Sequence, residues 1–151
     1  MSDALTADTD SPPAALHGKL LYIEDERINM VWLEGLLAAH PGVQLVHAAN
    51  GLDGVRLAHS EQPDFVLLNM HLPDIGGLEV VRRISDLIAS RGLRVTILTG
   101  GHLSVDIIKA MSLGAYEYWV KPLQMGKFEA GLRRALTGRR ADPQRTLALH
   151  R

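Results

Sequence analysis

The stretch Asp64–Gly77, DFVLLNMHLPDIGG, decides the fold class. Four apolar residues, Phe65–Leu68, run without polar alternation into Asn69, and a proline and two glycines follow. An uninterrupted apolar run of this length is typical of a strand covered on both faces, as in parallel sheets. The segment therefore predicts a central parallel strand that ends at a polar residue. That residue is an uncharged asparagine, although the residues around it suit a carboxylate.

Four more apolar runs of strand length occur along the chain, and segments with helical spacing separate them. The runs are residues 19–23, 44–48, 94–98 and 116–120. Between and after the runs lie five segments in which apolar residues recur every three or four positions, as along one face of a helix. Strands that alternate with helices pair in parallel through right-handed crossovers. The sequence therefore predicts a three-layer α/β domain with five strands and five helices.

Two of the helical segments carry more specific predictions. The first has a shared face that consists of Ile28, Val31/Trp32, Gly35/Leu36 and Ala39. The third has one continuous stripe that consists of Leu78, Val81, Ile84 and Ile88. These patterns predict that the first face packs inward and that the third segment is a single helix. Residues 1–17 lack periodicity and are expected to form a flexible leader, the domain is expected to span 18–138, and the tail 139–151 is too short for an output domain.

Composition and charge exclude several classes of function. The chain has 16 Lys and Arg against 17 Asp and Glu, and a formal net charge of −1 gives no overall attraction to nucleic acid or an anionic membrane. It has no cysteine, which excludes disulfides and thiolate metal sites. No apolar run approaches the roughly 18 residues of a membrane span, and the N-terminus lacks a signal peptide's apolar block. The expected location is the cytoplasm.

Polar residues follow four of the five predicted strands. They are Glu24 and Asp25, Asn69, Thr99, and Lys121. In an open parallel sheet, ligands bind outside the carboxyl ends of the strands, so these side chains are expected to converge at one edge. Adjacent carboxylates with a third oxygen ligand suit a hard cation such as Mg²⁺. A hydroxyl and an ammonium suit the oxygens of a phosphoryl group, and an aspartate after the third strand would supply the missing nucleophile.

Taken together, these motifs resemble the receiver domain of two-component response regulators. The resemblance covers roughly residues 18–138 and rests on several spaced motifs, namely Glu24-Asp25, LLNMHLPDIGG, Thr99, Tyr118 and Lys121-Pro122. It implies a flavodoxin-like fold with strand order 2-1-3-4-5. It also implies a signalling module rather than an enzyme.

The resemblance assigns roles to individual residues. Glu24 and Asp25 would be the acidic pair that holds Mg²⁺, and the backbone carbonyl of His71 would be a further ligand. Thr99 and Tyr118 would be the switch pair, in which the hydroxyl moves toward the phosphoryl group and the aromatic ring turns inward.

The same resemblance makes Lys121 the residue that contacts the phosphate, and the peptide bond between it and Pro122 is expected to be cis. The implied partners are a histidine kinase or phosphotransfer protein and a downstream target. They would bind the surface of the fourth helix, fifth strand and fifth helix, which also allows a homodimer.

Asn69 departs from the family pattern, because its position is that of the phospho-accepting aspartate. An amide nearly matches a carboxylate in shape but is a poor nucleophile, so normal aspartyl phosphorylation is not expected and Mg²⁺ binding should weaken. Three explanations remain open. The asparagine is engineered, or it is natural in a receiver that works without phosphate, or phosphorylation has moved to His71 or Thr99.

Other readings of these residues compete with the receiver interpretation. The acids after the first strand are also typical of a helix N-terminus. His71 and His102, with Asp25, are candidate ligands for a transition metal. A small flavoprotein or a phosphatase would have the same architecture, but the acidic pair would repel a flavin phosphate, and Asp25 lacks the second acid two positions away that a phosphatase of this type needs.

Overall fold

The fold is built around a central sheet of five parallel strands. The computed structural model of the protein describes residues 15–101 and 103–137. The strands are β1 (Gly18–Ile23), β2 (Val43–Ala48), β3 (Phe65–Asn69), β4 (Arg94–Thr99) and β5 (Glu117–Val120). Their spatial order is β2-β1-β3-β4-β5, and every neighbouring pair is parallel. β2 therefore lies on one side of β1, and β3, β4 and β5 lie on the other side. Because the connections that follow β1 and β3 run in opposite directions, a crevice opens between β1 and β3 at the carboxyl ends of the strands.

Six helices are present in the described part of the chain. They are α1 (Arg27–Leu37), α2 (Gly51–Ser60), α3 (Gly77–Arg83), α4 (Ser85–Arg91), α5 (Val105–Ser112) and α6 (Met125–Leu136). None of these helices has the length and apolar character needed to cross a membrane. The flavodoxin-like fold class and the strand order predicted from the sequence are confirmed.

Two buried clusters, one on each face of the sheet, make the domain three-layered. One cluster joins β1, β3 and β4 to α1 and α6, with Phe65 and Phe128 among its fully buried side chains. The other joins the opposite faces of the same strands to α2, α3, α4 and α5, with Ile23 and Ile97 among its fully buried side chains. Because side chains alternate along a strand, successive residues of β3 enter different clusters. This explains the unbroken apolar run that opens the predicted strand.

The prediction of one continuous third helix is wrong, because the segment divides into α3 and α4 at Ile84. The backbone of Ile84 has φ −113° and ψ 11°, outside the helical region. Its N–H is shared between the carbonyls of Val80 and Val81, and the Ser85 hydroxyl donates to the carbonyl of Arg82 (2.8 Å). A serine that bonds back to the preceding turn competes with regular helical bonding. The apolar stripe continues across the break, and for that reason periodicity did not reveal it.

The predicted inward face of the first helix is confirmed at Leu36, which is buried, and is wrong at Ile28, Val31 and Trp32. Ile28, Val31 and Trp32 are exposed, at 73%, 53% and 45% of their surface, whereas Leu33 and Leu37 are buried against the sheet. This helix is apolar on most of its circumference, so the pattern alone gave the wrong rotation about the helix axis. The consequence is an exposed apolar surface on α1.

The buried core includes a residue of the predicted leader. Leu16 is buried in the cluster beneath α1 and α6, and Gly18 starts β1. Residues 1–14 and 138–151, which contain most of the predicted leader and all of the predicted tail, lie outside the described residues.

Asp74 ties the loop after β3 to the start of α2. Its carboxylate oxygens accept hydrogen bonds from the backbone N–H groups of Gly51 and Leu52, each at 2.8 Å, while the Asn50 side chain accepts from Asp53. The first three N–H groups of α2 are thereby satisfied. Desolvation raises the pKa of Asp74, but the backbone N–H donors, with Leu52 foremost, outweigh it and leave the pKa lowered. The carboxylate is therefore favoured in the folded state.

We expect Asp74→Asn to lower the free energy of unfolding by about 1 kcal/mol at neutral pH, because an amide accepts fewer of these bonds. A group whose folded-state pKa is lowered adds stability above its unfolded pKa, and this stability is lost as pH falls through the folded pKa. Urea unfolding between neutral pH and about pH 3 should therefore show a smaller acid loss in the variant than in the parent. Glu34→Gln, on the exposed side of α1, is the control, and equal acid loss in parent and Asp74→Asn would contradict the assignment.

A close approach between α6 and β5 depends on Gly131. A Cβ atom built on this glycine would lie 2.1 Å from Cζ2 of Trp119, and that ring also packs edge-on against Phe65 and Phe128 at centroid distances of 6.3 and 6.4 Å. The aromatic group therefore fixes how closely α6 approaches the sheet.

Candidate functional site

The carboxyl ends of the strands bring most of the predicted site residues together. Glu24 directly follows β1, Asn69 is the last residue of β3, and Lys121 directly follows β5. Backbone bonds extend the ladder to this edge, from Glu24 N–H to the Ala48 carbonyl (2.9 Å) and from Lys121 N–H to the Thr99 carbonyl (2.8 Å). The site is therefore held by the sheet itself rather than by a free loop.

Glu24 is a fully buried carboxylate that is held by three hydrogen-bond donors. Oε1 accepts from the Tyr22 hydroxyl (3.0 Å), and Oε2 accepts from the Glu26 backbone N–H and from Nδ2 of Asn69, each at 3.1 Å. Buried charge is tolerated only with such bonding. Burial, together with the adjacent Glu24 charge, raises the pKa of Tyr22, so its hydroxyl stays protonated and remains a donor.

The side-chain amide of Asn69 lies where three oxygen atoms converge. Nδ2 donates toward Glu24 Oε2 (3.1 Å), Asp25 Oδ1 (3.3 Å) and the backbone carbonyl of His71 (2.9 Å). Since the amide has two hydrogens, the three acceptors share them. Asn69 is 4% exposed and Glu24 is fully buried, whereas Asp25 and His71 are exposed, so the network runs from the interior to the surface.

The other end of the same amide faces positive charge. Asn69 Oδ1 accepts from Lys121 Nζ (3.2 Å) and from the His71 backbone N–H (3.4 Å). The Lys121-Pro122 peptide bond is cis. Two carboxylates and one ammonium leave the core of the site with a formal charge of −1, and the amide lies between the opposite charges.

Thr99 and Tyr118, the predicted switch pair, lie outside this network. Their strands pair through Thr99 with Val120 and Ile97 with Tyr118, which makes the two residues diagonal neighbours on one face of the sheet. The Thr99 hydroxyl is buried and accepts from the Gly101 N–H (3.4 Å), while the Tyr118 ring is 38% exposed. A cavity of about 310 Å³ lies beside Thr99 and is also lined by His71 and Asp106.

The oxygen set fits a hard cation better than a transition metal. It consists of two carboxylates and one backbone carbonyl, which are ligands that Mg²⁺ accepts. No group of three His, Asp or Glu side chains suited to a metal occurs within residues 15–101 and 103–137. His102, part of the alternative transition-metal prediction, lies outside the described residues.

Sequence reasoning missed two residues of this site. Tyr22 supports Glu24 from two positions earlier on the same strand face, a spacing visible in the sequence. The ring nitrogen Nε2 of His47 lies 2.8 Å from the Glu24 backbone oxygen. The position of His47 follows only from the pairing of β1 with β2, which residue spacing alone does not supply.

Comparison with known proteins identifies the family. The model of the response regulator receiver domain matches residues 20–133. The chain belongs to the response regulator receiver family. It is 35% identical over 127 residues to the transcriptional regulatory protein AfsQ1 of Streptomyces coelicolor, covering 84% of this chain and 54% of that protein. This receiver therefore spans about half the length of that relative.

Solved receiver structures share the fold. The receiver domain of the sensor histidine kinase PA1611 from Pseudomonas aeruginosa, crystallised with magnesium in its active-site cleft, has a TM-score of 0.70 and 25% identity, covering 80% of this chain and 98% of that one. The receiver domain of Ssk1 from Saccharomyces cerevisiae, crystallised with the histidine phosphotransfer protein Ypd1, has a TM-score of 0.73 and 21% identity, covering 82% and 92%.

Proposed function

We propose that this receiver acts in two-component signalling by binding protein partners and does not use normal aspartyl phosphorylation. The observation that carries the proposal is the Asn69 amide, which lies between Lys121 and the acidic pair where the phospho-accepting side chain would stand. An amide oxygen is a very poor nucleophile toward phosphorus, so the site holds the surrounding groups without the attacking one.

The surrounding residues keep the roles that receiver chemistry would give them. Lys121 would contact a phosphoryl oxygen, and Thr99 and Tyr118 would form the switch pair. Glu24, Asp25 and the His71 carbonyl would hold Mg²⁺, which would neutralise phosphoryl charge. Loss of one carboxylate at position 69 lowers the charge of the ligand set and should weaken this binding.

The proposed partner surface comprises α5, β5 and α6. Its large apolar side chains are unusually exposed: Val105 at 65%, Ile108 at 51%, Val120 at 53% and Met125 at 65%. We propose that these four side chains form one patch, since a contiguous exposed apolar patch is typical of a protein interaction site. We assign to it a histidine kinase or a phosphotransfer protein, the class of partner with which the yeast Ssk1 receiver was crystallised, or a downstream target, and a homodimer would use the same surface.

Other functions have less support. A net charge of −1 gives no basic footprint for nucleic acid, and the acidic pair opposes a flavin phosphate. Phosphorylation at His71 or Thr99 would leave the amide network unexplained. We therefore propose a non-enzymatic, cytoplasmic signalling module, whether Asn69 is native or engineered.

Phosphoryl labelling tests the proposal directly. We expect the chain to take up no label that is labile to both hydroxylamine and alkali, from acetyl phosphate or from a histidine kinase encoded beside it, because this combination reports an acyl phosphate on a carboxylate. Robust labelling of this kind would refute the proposal. Label that survives alkali and is lost in Thr99→Ala or His71→Ala would instead show that phosphorylation has moved.

A binding measurement tests the surface. Titration calorimetry with the same kinase, or with its phosphotransfer domain, should give the same affinity with and without acetyl phosphate. Ile108→Asp and Val120→Asp should each weaken binding by about tenfold or more, because a charge is placed in the apolar patch. Val31→Asp on α1 is the matched control, and a greater loss there would move the interface to α1.

A further inference from the structure

We propose that the Asn69 carboxamide occupies the point at which the three oxygens would hold a divalent cation, and so closes the site to metal. The inference deepens the proposed function and rests on it, since it concerns the regulation of the same site. It adds a second cause of weak metal binding besides the lost charge, because the NH₂ group of Asn69 already fills the cation position.

The distances from Asn69 Nδ2 to the three oxygens indicate that the NH₂ group fills the cation position. Nδ2 of Asn69 is the common neighbour of Glu24 Oε2, Asp25 Oδ1 and the His71 carbonyl at 2.9 to 3.3 Å. These are hydrogen-bond lengths, whereas Mg²⁺ holds its oxygens at about 2.0–2.1 Å. A cation at this point would have to displace the NH₂ group and draw all three oxygens inward.

Opposite charges at its two ends hold the amide in this orientation. Oδ1 accepts from Lys121 and from the His71 N–H, while the NH₂ group faces two carboxylates. Reversing the amide would place its oxygen against the carboxylates and its NH₂ group against the ammonium. The NH₂ group therefore supplies partial positive charge to the oxygen set without any ion.

Lost charge and an occupied position make different predictions for Asn69→Ala. Alanine has the same formal charge as asparagine but no NH₂ group, so a site weakened by charge alone would not improve. A site blocked by the amide would open. Metal entry in the parent must break charge-assisted hydrogen bonds that the alanine variant lacks, so we expect Asn69→Ala to bind Mg²⁺ about tenfold more tightly than the parent.

Titration of the full chain with MgCl₂, followed by calorimetry and by the midpoint of urea unfolding, measures this difference. Asn29→Ala is the control, because it removes an asparagine side chain on α1 instead of the one on β3, and its Mg²⁺ affinity should match that of the parent. Magnesium should raise the unfolding midpoint of Asn69→Ala and leave that of the parent unchanged. Equal or weaker Mg²⁺ binding by Asn69→Ala would overturn the proposal.

A second measurement keeps the proposal testable if Asn69→Ala does not fold. In ¹⁵N-labelled parent protein, the Asn69 side-chain NH₂ signals should exchange slowly with water and stay unshifted at millimolar MgCl₂. Signals that shift or exchange rapidly on adding MgCl₂ would refute occupancy by the amide. Neither result depends on phosphoryl labelling, so failure of this inference is distinguishable from failure of the proposed function.

Discussion

Asn69→Asp is expected to convert the receiver into a phosphoryl acceptor, with hydroxylamine-labile labelling from acetyl phosphate that rises from background toward one phosphoryl group per chain. A carboxylate oxygen would attack phosphorus and acetate would leave, which the amide cannot support. The attacking group would stand 3.2 Å from the Lys121 ammonium if the side chain keeps its present position. Lysine at this distance would balance charge that builds on the phosphoryl oxygens.

The same substitution should make the metal-free fold less stable. The atom that replaces Nδ2 would be an oxygen facing Glu24 and Asp25 at the present 3.1 and 3.3 Å, so attraction becomes like-charge repulsion. We expect a loss of about 1–3 kcal/mol in the free energy of unfolding without metal, which Mg²⁺ should restore. Urea unfolding with EDTA and with MgCl₂ measures both effects.

A control distinguishes the effect of the carboxylate nucleophile from the effect of the residues around it. Asn69→Asp combined with Lys121→Ala should reduce labelling strongly while Mg²⁺ still stabilises the fold. If Asn69→Asp binds Mg²⁺ but remains unlabelled, the missing carboxylate is not the sole defect of the site, and the asparagine alone would not explain the lack of phosphorylation.

Gly131→Ala is expected to cost about 1–3 kcal/mol of folding stability, although alanine is the better helix former by about 1 kcal/mol. The added methyl would enter the Trp119 ring at 2.1 Å, and Phe65 and Phe128 restrict the ring's retreat. The steric cost therefore exceeds the gain in helix propensity. Urea unfolding followed by far-ultraviolet circular dichroism measures the balance.

Gly35→Ala in α1 is the matched control, because nothing lies within 4 Å of the added Cβ. It should gain about 0.5–1 kcal/mol from helix propensity alone. Trp119→Leu should reduce the penalty of Gly131→Ala in the double variant, as expected for residues in contact. A stabilising Gly131→Ala would show that the ring moves aside freely.

The sheet and most of the site could be predicted from the sequence because both depend on short-range patterns. Apolar runs marked the strands, and the rule for the carboxyl edge of a parallel sheet selected Glu24, Asp25, Asn69 and Lys121, which form one network. The alternation of side chains along the strands could also have predicted that Thr99 lies apart from this network. Asn69 shares a sheet face with Phe65 and Leu67, whereas Thr99 shares the opposite face with Ile97, which accounts for the separation of Thr99 from the network.

Other features could not be read from pattern because tertiary contacts determine them. The rotation of α1 remained ambiguous, since apolar residues surround that helix and only packing on the sheet selects Leu33 over Trp32. The break at Ile84 depends on hydrogen bonds that leave the apolar stripe intact. The orientation of the Asn69 amide depends on the carboxylates that follow β1 and the ammonium that follows β5, which meet only after folding.

The two tryptophans of the chain lie in very different surroundings. Trp119 packs between the rings of Phe65 and Phe128 beneath α6, and Trp32 lies on the exposed side of α1. An aqueous quencher such as iodide should therefore suppress the emission of Trp32 selectively. The protein thus carries two intrinsic fluorophores, one that reports contact at the α1 surface and one that reports the integrity of the core.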